Sequence, residues 1–274
     1  MKNSLLERRK PRVTGARRAS GTALSLRARQ WRILVVGCGS IGRRHIRNLL
    51  SLGQRTLHLV EMDHVRLQQG TQEFGVPGTR TLEESWAWRP EVVIVANPTS
   101  WHVETATAAA AQGCHLLIEK PLSDRLEGVE ALLRMVGEKQ LIALVGCNLR
   151  FHPGPALIHH WLTQSECGKI LSARFEAGSY LPSWRPGTDF RVSYSAQAAL
   201  GGGCVLDDIH ELDLACWLFG MPREVVAITQ DGSALEWAAD GRFVLVGRLA
   251  LDDLRRVAAS VPPAPASGRG PGTR

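Results

Sequence analysis

The sequence predicts a doubly wound α/β fold with a parallel sheet in its first half, followed by a smaller, incomplete α+β part, on three observations. An apolar run, Ile33-Leu34-Val35-Val36, passes directly into Gly37-Cys38-Gly39-Ser40-Ile41-Gly42 and then into a helical stretch. A second strand over 56–60 ends in an acid, Glu61, nineteen residues after Gly42. Short apolar runs and helical stretches then alternate as far as about residue 150.

Each glycine of the G-x-G-x-x-G pattern has a steric task in binding a dinucleotide. Gly37 makes the tight turn, Gly39 lets the backbone approach a pyrophosphate, and Gly42 lets helix and strand pack closely. Ser40 and Ile41 then stand at a helix N-terminus, where backbone N–H groups receive the phosphates. Glu61 can accept hydrogen bonds from the adenine-side ribose hydroxyls. Its carboxylate favours NAD by repelling a 2'-phosphate, whereas Arg43 and Arg44 leave NADP open.

Further along, 65–74 reads as a helix and 75–79 as a loop. Glu91-Val92-Val93-Ile94-Val95-Ala96 is a continuous apolar run, as a strand buried on both faces produces. Asn97-Pro98-Thr99-Ser100 breaks it, and an alanine-rich helix over 101–112 closes at Gly113. The next strand, 115–118, delivers Glu119-Lys120-Pro121 to its C-terminal end, before a helix over 126–138 and a strand over 141–145. Ligands of such sheets bind beyond the carboxyl ends of the strands, so Gly37 to Gly42, Glu61, Asn97 and Lys120 should converge on one crevice.

From about Phe151 the pattern changes. A helix over 155–164, a strand-like 170–176 and a loop rich in Pro, Trp and Arg lead to Gly201-Gly202-Gly203. The stretch 207–219 reads as one amphipathic helix closed by Gly220-Met221-Pro222, and 225–228 as a further strand. The expected divisions are a basic extension over 1–30, a dinucleotide-binding domain over 31–150, an α+β substrate domain over 151–260, and a Pro/Gly tail over 261–274.

Charge is unevenly distributed. The chain of 274 residues carries +7, but residues 1–30 alone hold nine Lys or Arg against Glu7, which leaves the rest at −1. A near-neutral body argues against a broad basic face for nucleic acid. The extension reads as a solvated arm; a twin-arginine export signal, a transit peptide and an over-extended start stay open. No apolar run approaches the roughly 20 residues that span a bilayer. The six cysteines form no C-x-x-C pair, no His stands at metal-ligand spacing, and a reducing, cytoplasmic setting without a metal is expected.

Several motifs together resemble the family of glucose-fructose oxidoreductases and inositol dehydrogenases known as Gfo/Idh/MocA. They are Val36 to Gly42 followed by Arg43-Arg44-His45, Ala96-Asn97-Pro98-Thr99-Ser100-Trp101-His102, Ile118-Glu119-Lys120-Pro121, and Gly201-Gly202-Gly203-Cys204-Val205-Leu206-Asp207 with His210 and Asp213. The resemblance covers roughly residues 31 to 237. It implies a Rossmann domain, a C-terminal domain whose open sheet often forms a homo-oligomer interface, and NAD(P)-dependent oxidation of a sugar, sugar-acid or sugar-nucleotide hydroxyl. Asn97, Pro98, His102 and Glu119 join the cofactor-binding set on this basis.

Lys120 occupies the family's catalytic-lysine position, and an ammonium there can stabilise negative charge on the reacting oxygen. His210 is the expected general base, with Asp207 on the same helical face to orient it or bind substrate. The spacing departs from the commoner pattern, which places the His where Glu211 stands. Arg150, Arg185 and Arg191 are candidate substrate residues, able to hold a carboxylate or phosphate bidentately. Past about Ala238 the resemblance fades, predicting a substrate domain short of strands. A catalytically impaired cofactor-binding or regulatory homologue is the alternative, and a nucleic-acid binder acting through the arm a third.

Overall fold

The computed structural model describes residues 29–230, apart from 166, 179, 185, 186 and 188, together with 242–248; for 227–230 and 242–248 only the backbone is described. The expected extension over 1–30 lies almost wholly outside these residues, as does the expected tail over 261–274.

The first half is a six-stranded sheet. Its elements in chain order are β1 (Ile33–Val36), α1 (Ser40–Ser51), β2 (Leu57–Val60), α2 (His64–Phe74), β3 (Gly78–Thr79), α3 (Leu82–Ser85), β4 (Val92–Val95), α4 (His102–Ala111), β5 (His115–Ile118), α5 (Val129–Glu138) and β6 (Ala143–Val145). All neighbouring strands are parallel, in the order β3-β2-β1-β4-β5-β6. This is the doubly wound order, whose direction reverses between β1 and β4 and opens a crevice at their carboxyl ends.

Two apolar layers explain why the strands read as unbroken hydrophobic runs. Successive residues of a strand face opposite sides. Leu34, Val36, Val93 and Val95 accordingly pack with Ala106, Ala109, Ala110 and Leu132 on one face, while Ile33, Val35 and Ile94 pack with Ile46, Leu57, Leu59 and Val76 on the other. Each fully buried Leu or Ile contributes about 1.5–3 kcal/mol relative to leaving it exposed. The alanines of α4 let it lie close on the sheet.

Helix boundaries follow their caps. Asp63 caps α2 by accepting from the Arg66 N–H, and Gly75 closes it with φ 64. A Thr81/Glu84 capping box starts α3, an element the sequence reading missed. Helix α5 begins at Val129, three residues later than expected, because Gly128 at its N-cap takes φ 79.

The second half departs further from expectation. Helix α6 (Pro153–Thr163) forms, but 170–176 joins no ladder; a strand needs a hydrogen-bonded neighbour, and none pairs with it among the described residues. The helix expected over 207–219 is two: α7 (Cys204–Asp207) stops, Asp208 takes φ −94 and ψ 27, and α8 (Ile209–Phe219) restarts. Strand β7 (Glu224–Gln230) pairs antiparallel with β8 (Arg242–Arg248), a strand beyond Ala238 where the resemblance implied none. Among the described residues no helix is long and apolar enough to cross a membrane.

Candidate active site

The glycine-rich turn is built as its sequence demands. Gly37 has φ 100 and lies so near β4 that a Cβ would stand 2.6 Å from the Ala96 carbonyl oxygen. A Cβ on Gly42 would run into the Gly37 carbonyl. At Gly39 the opposite holds: a Cβ would meet nothing within 4 Å.

Glu61, buried at the end of β2, braces this turn from below. Its Oε2 accepts from the Cys38 N–H at 2.8 Å, and Oε1 accepts from the Asp63 N–H at 3.0 Å and from Arg66 at 3.3 Å. An ionised carboxylate has about four lone-pair positions, so capacity for a ribose hydroxyl is left. Arg43 is held by an ion pair to Glu73, and Arg44 is exposed.

At the end of β4, Asn97 donates to the Thr105 hydroxyl at 2.8 Å, and its side-chain oxygen is buried with no hydrogen-bond partner among the described residues. Pro98 leads into a 3₁₀ turn over Thr99–Trp101. His102 is buried. It is 2% exposed, with Nδ1 2.8 Å from the Pro121 carbonyl oxygen and Nε2 2.9 Å from that of Asn97. Burial pushes its pKa down, the two carbonyls offsetting part of the effect. The ring thus joins the Asn97 loop to the turn after β5.

Beyond β5, Glu119 Oε1 lies 2.6 Å from His45 Nε2 on α1, and Oε2 accepts from the Lys120 N–H at 3.2 Å. Burial alone would raise the Glu119 carboxyl; the hydrogen bond and charge of His45, together with the N–H and ammonium of Lys120, outweigh it, and the pKa lies below its ordinary value. The Lys120 ammonium donates to the main-chain carbonyl oxygen of Asp207 at 2.8 Å. The glycine loop docks beside it: a Cβ on Gly201, where φ is 80, would stand 2.7 Å from Thr99 Cβ.

The break between α7 and α8 decides what Asp207 does. Its Oδ1 accepts from the Tyr194 hydroxyl at 3.1 Å and lies 3.4 Å from the Ser195 hydroxyl, and burial raises its pKa against the pull of Lys120. Asp207 and His210 sit on different helices, so the shared helical face expected from their spacing is absent. His210, on the first turn of α8, has Nδ1 buried with no partner among the described residues. Burial lowers its pKa, and Lys120 lowers it further.

The arginines are engaged. Arg150 grips Asp213 of α8 with both Nε, at 2.9 Å, and a terminal nitrogen. Arg191 is paired with its own neighbour Asp189, at 2.9 and 3.1 Å. Arg185 lies outside the described residues. Neither described arginine is an open fork for an anion. No role for His45, Tyr194, Ser195 or Asp213 follows from the sequence; the first and last stand within the motifs, but their partners, Glu119 and Arg150, are long-range.

The residues fit a dinucleotide on observations of their own. Gly39 faces open space, α1 begins with no side-chain cap and no acid in its first turn, and Ile41 is 36% exposed beside it. Among the described residues no cluster of three His, Cys, Asp or Glu is placed to hold a metal ion.

Comparison with known proteins agrees with this geometry. Residues 31–147 match the model of the oxidoreductase family with an NAD-binding Rossmann fold, and residues 156–250 match the Gfo/Idh/MocA C-terminal domain. The second match runs past Ala238 and includes β8. Levoglucosan dehydrogenase of Pseudarthrobacter phenanthrenivorans is 35% identical over 139 residues, covering 50% of this chain and 35% of its own. The myo-inositol dehydrogenase Hyg17 of Streptomyces leeuwenhoekii is 29% identical over 228 residues, covering 81% and 66%. Among solved structures, a levoglucosan dehydrogenase in complex with NADH and levoglucosan is 26% identical with TM-score 0.62, over 72% of this chain and 56% of that one. The chain thus spans between about a third and two thirds of the length of the curated relatives it matches.

Proposed function

The chain belongs to the Gfo/Idh/MocA family of oxidoreductases, and on that premise we propose that it is an NAD-dependent dehydrogenase acting on a hydroxyl of a sugar, a polyol or a sugar derivative. One observation carries the reading. The Lys120 ammonium, at the carboxyl end of β5, is hydrogen-bonded across to the Asp207 carbonyl, next to the helix that bears His210. A cation and a candidate base therefore meet at the edge of the sheet where a dinucleotide fold binds its ligand.

In this reading Gly37, Gly39, Ser40, Ile41 and Gly42 receive the pyrophosphate, Glu61 the adenine-side ribose, and Asn97, Pro98 and Glu119 line the path to the nicotinamide. Nicotinamide, when bound, supplies a hydride acceptor. Lys120 donates a hydrogen bond to the substrate oxygen and stabilises the negative charge that grows on it as the hydroxyl proton leaves, before loss of hydride from carbon turns that charge into the carbonyl bond. His210, kept neutral by burial and by the nearby ammonium, takes the hydroxyl proton at a ring nitrogen. Asp207 acts through its main chain, its carboxylate being taken up by Tyr194 and Ser195. A homo-oligomer through the second sheet goes with this reading, to be checked by sedimentation.

The test is a titration of the full chain with NADH and NADPH, followed by tryptophan fluorescence. A screen of inositols, anhydrosugars and nucleotide-linked sugars follows, in wild type and Lys120→Ala. Saturable NADH binding with turnover that Lys120→Ala removes is the expected result. Binding without turnover of any substrate would favour the cofactor-binding regulatory homologue instead, and no binding would overturn both.

A further inference from the structure

We propose that His45 is a positioning residue for Lys120, acting through Glu119, and that this bridge ties the helix receiving the pyrophosphate to the lysine at the reacting oxygen. The inference rests on the dehydrogenase reading for the role of Lys120; the bridge itself rests on geometry.

His45 lies on α1, the helix that starts at the open Gly39 turn. Its Nε2 is 2.6 Å from Glu119 Oε1, and their side chains are only 19% and 17% exposed. The second oxygen of the same carboxylate holds the Lys120 N–H at 3.2 Å, and the Glu119 N–H donates to the Val95 carbonyl at 2.9 Å. The carboxylate has little room to move toward the next strand: a Cβ on Gly146, just beyond β6, would stand 3.1–3.2 Å from its atoms. One side chain thus spans α1, the end of β5 and the backbone of Lys120.

The charges around Glu119 come from several elements. His45 faces it from α1, His102 from α4, Cys147 from the segment after β6, His210 from α8 and Lys120 from its own turn. Without His45, Oε1 loses its partner in a mostly buried place, and the carboxylate is free to leave the Lys120 N–H for another donor. The ammonium would then lose the fixed backbone from which it reaches the Asp207 carbonyl.

The experiment uses the full chain as His45→Ala and His45→Gln. A Gln amide can place a donor where Nε2 stands. In the cofactor-free protein, hydrogen–deuterium exchange over 119–122 is compared with that over 46–50. NADH affinity, kcat and KM are then measured on the same variants. We expect His45→Ala to speed exchange at Lys120 about tenfold, in line with the loss of one hydrogen bond, with NADH affinity within about twofold and kcat down about tenfold. His45→Gln should recover most of both.

Faster exchange confined to 46–50 would overturn the bridge, showing that His45 only packs α1. So would a fall in kcat that Gln does not rescue, or a loss of NADH affinity in proportion to kcat. If the Lys120 amide responds as expected but wild type turns over no substrate, the bridge stands and the dehydrogenase reading fails. Should His45→Ala not fold, Glu119→Ala, which removes the acceptor held between His45 and the Lys120 N–H, gives the same exchange readout. Unchanged exchange at Lys120 there, with an unchanged pH profile, would also sink the proposal.

Discussion

The Nζ of Lys120 lies 2.8 Å from the main-chain oxygen of Asp207, not from its carboxylate. Because the contact is to the backbone, side-chain changes at the two residues separate. Lys120→Ala should lower kcat by about 10²–10⁴-fold while NADH affinity stays within about twofold. Asp207→Asn should cost less than about tenfold, because the carbonyl remains and the amide oxygen still accepts from Tyr194. Steady-state kinetics with fluorescence titration decides; equal losses in the two variants would mean that the carboxylate acts directly.

The pH dependence of turnover should report His210. Burial first, and the Lys120 charge second, hold its pKa below the ordinary histidine value; Glu211 and Asp213 on its own helix and Glu119 beyond β5 act the other way. A base must be neutral to accept a proton, so the acid limb of kcat should fall below about pH 6.5. Glu211→Gln removes an opposing charge and should move that limb further toward acid. A limb at or above the ordinary value would exclude His210 as the base.

Two alanine substitutions one turn apart should fail differently. Gly39→Ala places its methyl in open space, so urea unfolding should match wild type while NADH binding falls at least about tenfold. Gly42→Ala drives a methyl into the Gly37 carbonyl, and should lower stability itself. Retained NADH affinity in Gly39→Ala would place the pyrophosphate elsewhere.

His58 is a stability cost unrelated to the site. It is 8% exposed in the middle of β2, both ring nitrogens lack hydrogen-bond partners among the described residues, and burial lowers its pKa. A base with a lowered folded pKa takes its proton first in the unfolded chain, so stability is unaffected above about pH 7 and falls as pH drops below about 6.5. His58→Leu should raise unfolding free energy by about 1 kcal/mol at neutral pH and reduce that slope. Urea titrations at pH 5.5 and 7.5 give both quantities; a destabilised variant would show that the tilted contact with Trp88, at 5.3 Å, matters more.

What the sequence displays of all this is local. The turn at Gly37, the acid ending β2 and the Glu119-Lys120 pair ending β5 are read from residues near one another, and hydrophobic period places them at strand ends. The break at Asp208 is less legible, since 207–219 reads as one continuous helix, whereas Asp208 takes φ −94 and ψ 27 directly after Asp207, whose carbonyl and carboxylate are held by the distant Lys120 and by Tyr194. Arg150 reads as a free cation because its partner, Asp213, stands 63 residues away. His45 and Glu119 are 74 residues apart and meet only because β1 and β5 share one sheet. Strand β8 carries a strand signal of its own in Phe243-Val244-Leu245-Val246, but it stands past Ala238, where the resemblance fades, and only its ladder with β7 shows what it pairs with.

The bond from the Cys38 N–H to Glu61 bears on redesign of coenzyme preference. A carboxylate at this position is the usual first target when a 2'-phosphate is to be admitted. Here the same oxygen atoms hold the glycine-rich turn and the start of α2, so deleting the acid would strip support from the surface meant to accept the new coenzyme. Selectivity and scaffold share one side chain. A successful switch would have to supply a second acceptor for the Cys38 amide along with the new cation.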